Sequence, residues 1–213
     1  MRSRMQLRNW HLWLLLSAAY ALMSWYNTRF ILTEDVFYNT FGKNLTSDRI
    51  ADIIKVQGRL SLFGFCFMPL VLGFKFLLVS GCLMTSIYFS NHNISFRQVM
   101  RIVLVSEVIF ILYTAIKLLD FTFWHPSTLQ YMSEEAPLSL FSLVRHLDPP
   151  KYCNYVLQTI NVFELTYFLV LGSGIATVLR IPFKKSILFV LGGYGIGLLL
   201  WILIVTFIQL QAS

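Results

Sequence analysis

Charge is scarce in this sequence. Only 13% of its 213 residues are Asp, Glu, Lys or Arg, about half the share usual in a soluble domain. Cysteine is almost missing. Cys66 and Cys82 share one apolar stretch and Cys153 stands just before another, a placement that excludes a disulfide framework or a cysteine-based metal motif. These three read as small apolar filler. Histidine is equally thin. His11, His92, His125 and His146 are scattered over connections and stretch ends and match no metal-ligand spacing. No His-Glu-x-x-His, Gly-x-Ser-x-Gly or intramembrane Asp pair is present, so the chemistries those motifs carry are not indicated. Gly192-Gly193-Tyr194-Gly195 has no preceding strand and no following Lys-Ser/Thr, which excludes a phosphate-binding loop. The sequence therefore predicts no enzyme, no cofactor and no metal site.

What is abundant is apolar length. Hydrophobic residues make up 57% of the chain and aromatics 16%. Five apolar stretches run over about 9–32, 62–89, 99–119, 156–179 and 186–210, each long enough for a bilayer core that takes about 20 helical residues. The expected fold is all-α: a single polytopic transmembrane helix bundle over 1–213, with segments 33–61 and 120–155 outside the membrane. Stretch 62–89 is longer than one crossing needs and contains Pro69, which predicts one long, tilted or kinked helix.

The net charge of +7 is explained by topology rather than by nucleic acid, because no basic stripe with interleaved aromatics lies outside the apolar stretches. Arg2, Arg4 and Arg8 precede the first stretch. Arg97 and Arg101 mark one connection, and Arg180, Lys184 and Lys185 mark the last turn, all without acids. The two remaining connections mix bases with acids. Under the positive-inside rule this alternation predicts five spans, the N-terminus inside and the C-terminus outside. Ala19-Tyr20-Ala21 has the form of a signal-peptidase site. Apolar character continues past it to Phe30-Ile31-Leu32, so the first stretch is expected to remain as an anchor.

The two outer segments carry their own patterns. Residues 46–57 place Ile50, Ile53 and Ile54 on one face and Asp48, Asp52 and Lys55 on the other, an amphipathic helix suited to a membrane interface or to partner docking. A short apolar helix is expected at 137–147, begun by Pro137 and stopped by Pro149-Pro150. Leu138, Leu140, Phe141 and Val144 on it are candidate partner contacts. That face could cap the bundle, lie on lipid or meet another protein. His125, Glu134 and Glu135 share this loop and are the residues a lipid-enzyme reading would use.

Charges inside the apolar stretches need an explanation, since each costs roughly 3 kcal/mol or more at the bilayer centre. Lys75, Glu107 and Glu164 are such charges, and Lys75 is expected to pair with Glu107 or Glu164 in the bundle interior. Lys117 stands at a stretch end and can snorkel to the interface. For packing, Gly172-x-x-x-Ala176 and Gly193-x-x-x-Gly197 are small faces on adjacent antiparallel spans, expected to meet at similar depth. Regular, unbroken helices are expected around these charges.

Ser95-Phe96-Arg97 leads into the third stretch, and Pro137-Leu138-Ser139-Leu140 lies in the outer loop. Asn161-Val162-Phe163-Glu164 opens into Gly172-Ser173-Gly174. With the five-span layout these resemble the Yip (Ypt/Rab-interacting protein) family and its bacterial relatives over about residues 60–210. The resemblance implies a non-enzymatic accessory or scaffold subunit in the bacterial cytoplasmic (inner) membrane. Its partners would be the lipid bilayer and a membrane complex such as an ABC-type exporter, with no nucleic acid. The alternative from the residues themselves is a small transporter or channel using Lys75, Glu107 and Glu164.

Overall fold

The computed structural model describes residues 9–124, 128–134, 136–147 and 149–212. Helix α1 (Asn9–Tyr26) runs into a π-turn at Asn27–Ile31. Then follow α2 (Glu34–Phe41), α3 (Ser47–Phe89), α4 (Phe96–Ser106) and α5 (Val108–Trp124). The connection beyond α5 carries α6 (Leu129–Glu134), α7 (Leu140–Val144) with a 3-10 turn at Arg145–Leu147, and α8 (Lys151–Thr159). The chain ends with α9 (Val162–Leu179), α10 (Phe183–Val190), a π-turn at Leu191–Gly195 and α11 (Ile196–Ala212). One isolated bridge, Ser139 to Asn161, is the only β-type pairing among the described residues.

Four helical stretches are long and apolar enough to cross a membrane: Ser47–Phe89, Phe96–Phe123, Val162–Leu179 and Phe183–Gln211. They are compatible with an integral membrane protein. Helix α1 does not reach the same apolarity, because Asn9, His11, three tryptophans and two tyrosines fall within its 18 residues.

The surface is compatible with a lipid environment. The chain exposes 14237 Å², against about 10,000 Å² for a compact soluble protein of this mass. On α3 the side chains of Leu62, Phe63, Leu70, Val71 and Phe74 are each exposed by about 60% or more. Leaving such groups in water forgoes on the order of 10 kcal/mol on this helix alone; in lipid that penalty vanishes. The opposite face of α3 (Leu72, Phe76, Val79, Leu83 and Ile87) is buried against Val99, Ile102 and Val103 of α4, Leu171 and Ile175 of α9, and Val190.

The helix ends sort into two groups. At one end, the Asn9 amide donates to the Arg97 carbonyl at 2.9 Å, and Lys185 Nζ lies 3.5 Å from His92 Nε2. This basic end gathers the start of α1, the α3–α4 connection and the α9–α10 turn. The turn is tight because Arg180 adopts a left-handed backbone (φ 56°) and the Ala176 carbonyl accepts from both Arg180 and Ile181, a helix-ending arrangement that glycine more often supplies. At the other end, Tyr26 and Thr122 hydroxyls are 3.2 Å apart and the Leu129 N–H donates to Thr40 Oγ1 at 2.9 Å. This cap end has its own buried set, Ile31, Val36, Phe37, Ile50, Phe121, Ala136 and Phe141, separate from the main core.

Four expectations change. The amphipathic segment 46–57 and the stretch 62–89 are one continuous 43-residue helix. Gly58 and Gly64 are tolerated within it, and Pro69 is absorbed inside it. The Pro69 carbonyl accepts from Trp13 Nε1 at 3.1 Å. Second, segment 33–61 contains an additional helix, α2, whose first turn carries Glu34 and Asp35, the charges a helix N-terminus favours. Third, stretch 156–179 is interrupted at Ile160–Asn161, and the membrane-length helix begins only at Val162. Asn161 Oδ1 caps it by accepting from the Glu164 N–H at 2.8 Å, a polar signal strong enough to stop one helix and start another. Fourth, the outer helix spans only Leu140–Val144, capped by Ser139. Phe141 on it is 4% exposed, so it anchors the loop and is not an open partner contact. Val144 is half-buried, while Leu138 and Leu140 are exposed.

Candidate functional site

Charged and phenolic side chains converge on the buried Glu107 and Glu164, with Lys75 reaching in from the edge, its side chain 38% exposed. Measured along the helices from the basic end, Tyr20, Lys75, Glu107 and Tyr194 lie about 11 to 14 residues in, roughly 16–21 Å. Glu164 lies slightly farther, roughly 23 Å. It sits in the first turn of α9 rather than well inside a helix, because of the break at Asn161.

Glu107 is the hub of the first half. Its residue is 0% exposed. Lys75 Nζ lies 2.6 Å from Glu107 Oε1, and Tyr20 Oη donates to the same oxygen at 2.9 Å. Lys75 also stands 4.4 Å from the Phe110 ring centroid, where the ring face favours a cation. Three helices from different parts of the chain thus meet on one carboxylate oxygen. The other oxygen, Glu107 Oε2, is buried and has no hydrogen-bond partner among the described residues.

Glu164 anchors the second half. Tyr194 Oη donates to Glu164 Oε1 at 2.7 Å. The Glu164 backbone N–H is taken by Asn161, and the helix N-terminus itself favours a negative charge there. Lys75 is therefore bonded to Glu107, while Glu164 is held by a phenol and a helix end. Aromatic rings join the halves. Tyr167 lies 4.8 Å from Phe110 and 5.2 Å from Tyr194, centroid to centroid. Its own hydroxyl is buried with no partner among the described residues.

Local backbone irregularity accompanies both halves. Helices α4 and α5 are separated by Glu107 itself (φ −60°, ψ −19°), where the Phe110 N–H bonds back to the Glu107 carbonyl at 3.0 Å. Ser106 Oγ donates to the Ile102 carbonyl at 2.9 Å, a back-bond that bends helices. Tyr194 lies within the π-turn Leu191–Gly195. Such turns recur at functional positions. The helical stretches Phe96–Phe123 and Phe183–Gln211 nevertheless run on through both irregular turns.

The glycines explain how Tyr194 is placed. A Cβ on Gly193 would lie 2.6 Å from the Cys82 carbonyl oxygen and 3.0 Å from Leu83 Cα, and one on Gly197 would lie 3.2 Å from Cys82 Sγ. These two glycines let the last span press its backbone onto α3. They do not meet the Gly172–Ala176 face, as their spacing suggests. A Cβ on Gly172 would instead meet Ile187 Cδ1 and Phe183. Ala176 is half-buried and uses its carbonyl in the α9 end.

Tyr20, Tyr167 and Tyr194 were not singled out by sequence reasoning, since tyrosine in an apolar stretch reads as packing. The loop residues His125 and Glu135 lie outside the described residues. Glu134 Oε2 is 3.7 Å from Arg145, and its Oε1 accepts from Gln130 at 2.8 Å. Among the described residues no three His, Cys, Asp or Glu side chains are grouped to hold a metal ion. No family model matches the chain, and neither a curated protein nor a solved structure matches it.

Proposed function

We propose that the protein is a five-span integral membrane protein of the bacterial cytoplasmic membrane that serves, without catalysis, as an accessory or scaffold subunit of a larger membrane complex. The basic end faces the cytoplasm and the cap end faces outward. Helix α1 supplies the fifth crossing. Its Asn9 bonds at Arg97 and its Tyr26 meets Thr122, so it runs alongside nearly the whole membrane-length stretch Phe96–Phe123. An ABC-type exporter is the partner class implied by the resemblance to Yip-family relatives.

The observation that carries the accessory reading is at the cap. Leu138, Leu143 and Leu147 are exposed by 59%, 68% and 68%, outside the membrane-length helices. Leu138 is held in the left-handed backbone region (φ 57°), which costs a non-glycine residue about 1–2 kcal/mol. Its carbonyl accepts from the Val162 N–H at 3.1 Å, and the Leu140 N–H donates to the Ile160 carbonyl at 2.9 Å. A strained leucine clamped outward is a feature to associate with binding. The test is purification from native membranes in mild detergent. Wild type is expected to bring a membrane complex with it, and Leu138→Ser with Leu143→Ser to lose that complex without a change in melting temperature. Wild type recovered always alone would end the reading.

A second reading, a small transporter or channel, is favoured by the irregular turns at Glu107 and Tyr194. It expects Glu107→Gln or Glu164→Gln to abolish a pH-dependent flux in proteoliposomes. Absence of flux in wild type removes it.

A further inference from the structure

Helix α3 carries an open seam. From Ile53, the residues Val56, Leu60, Phe63, Phe67 and Leu70 follow at alternating steps of three and four, the repeat by which two helices wrap on each other. Ile53 is half-buried. The other five are exposed by 54%, 58%, 64%, 57% and 66% in chain order.

Lipid covers only part of this seam. Counted from Phe89 at the basic end, Leu70 lies about 19 residues along the helix, roughly 29 Å, and Val56 about 33 residues along, roughly 50 Å. A bilayer with its headgroups is about 40–45 Å thick. An average tilt of about 20° shortens the reach of the helix by only about 6%. Val56 and Ile53 therefore stand beyond the headgroups, where an exposed apolar face calls for a protein partner.

The shape and charge of this outer part name the partner. Arg49, Asp52, Ile53 and Val56 line an open groove of about 560 Å³, flanked by Leu45 and Gln57. Their spacing of i, i+3, i+4 and i+7 is that of the four-residue hole which receives one side chain of a facing helix in a coiled coil. A second α3 brings its own Ile53 to that hole at the same level. Two copies in one membrane share an orientation, so their α3 helices run parallel about a two-fold axis. Arg49 and Asp52 form no ion pair among the described residues. They are about 4.5 Å apart along the axis, so Arg49 of each copy comes within reach of Asp52 of the other. The face is complementary to itself.

We infer that the outer part of α3, from Arg49 to Leu60, docks a second copy of this chain as a parallel two-helix coil. The inference goes beyond both proposed functions, whose residues lie elsewhere, and requires only that α3 crosses the bilayer.

Disulfide cross-linking in isolated membranes tests it, in a full-length chain with Cys66, Cys82 and Cys153 changed to Ala. Val56→Cys on the seam is expected to cross-link into a species of twice the chain mass under mild oxidation. Lys55→Cys, one residue off the seam, should stay at background. Added to Val56→Cys, Arg49→Asp or Asp52→Arg alone should lower cross-linking by about fivefold, the reach of an exposed ion pair. The two together should restore it. Membranes holding both single-charge variants should regain cross-linking between them, because each then meets opposite charge on the other. Equal cross-linking at residues 55 and 56, single swaps without effect, a double swap no better than the singles, or a product of any other mass overturns the inference. Melting temperatures matching the cysteine-free chain show that the variants are folded.

Discussion

The two buried carboxylates solve the same problem differently. Glu107 is fully enclosed and is answered by a whole opposite charge, Lys75, plus one phenol. Glu164, 8% exposed, is bonded through its side chain to a phenol and sits in the first turn of a helix. The difference follows from where each lies along its own helix. Glu107 lies within the helical stretch Phe96–Phe123, whose backbone bonds run through it, from the Glu107 N–H to the Val103 carbonyl and from the Ile111 N–H to the Glu107 carbonyl, so its charge is answered by a cation from another helix. Glu164 sits where unpaired N–H groups and the helix dipole already favour an anion. A buried acid can thus be kept by a cation from another helix or by placement in a helix's first turn.

The sharpest way to break this contrast is to remove the imported charge. Lys75→Met should lower stability by about 3 kcal/mol, since it strands a buried acid without its partner. Lys75→Met with Glu107→Leu should recover most of that loss. Thermal unfolding in mild detergent reads both, and a double variant no better than the single one would show that the pair is not the source of the cost. The next largest effect belongs to the other carboxylate. Gly193→Ala pushes a methyl group onto the Cys82 backbone and should cost about 1–3 kcal/mol. It displaces the turn that carries Tyr194, so it should loosen the Glu164 side while leaving Lys75–Glu107 intact. Hydrogen exchange at the two sites separates those outcomes. Tyr194→Phe should then cost only about 1 kcal/mol, the usual size of an interhelical hydrogen bond in a bilayer. A loss as large as that of Lys75→Met would mean that the phenol, not the helix end, holds Glu164. The smallest change is Gly64→Ala, where an added methyl meets nothing. It should shift the melting temperature little, calibrating what a harmless glycine change does.

Much of this was legible in the residues, and the rest was hidden for definable reasons. Lys75, Glu107 and Glu164 stand out because charge in an apolar stretch is conspicuous. The small spacing of Gly193 and Gly197 announces close approach, yet spacing alone does not name the neighbour, which is Cys82 on α3. Tyr20 and Tyr194 were invisible as carboxylate partners, because a phenol's apolar ring disguises its donor. The interruption at Ile160–Asn161 had a signal, Asn161 followed three residues later by Glu164, the spacing of a helix start. Apolar flanks on both sides masked it. The joining of 46–57 to 62–89 was concealed by Gly58, which looks like punctuation and yet stays inside the helix. Phe141 looked like a contact because its neighbours are leucines that do face outward.

The uninterrupted length of α3 carries a mechanical consequence. At about 1.5 Å per residue its 43 residues make a rod of roughly 65 Å. One portion is fixed near Lys75, and the far portion carries Ile50 into the cap. A tilt of about five degrees at Lys75 would swing residue 47 by nearly 4 Å, using the same rise of about 1.5 Å per residue. Rearranging the interior ion pair and moving the cap are therefore two ends of one lever.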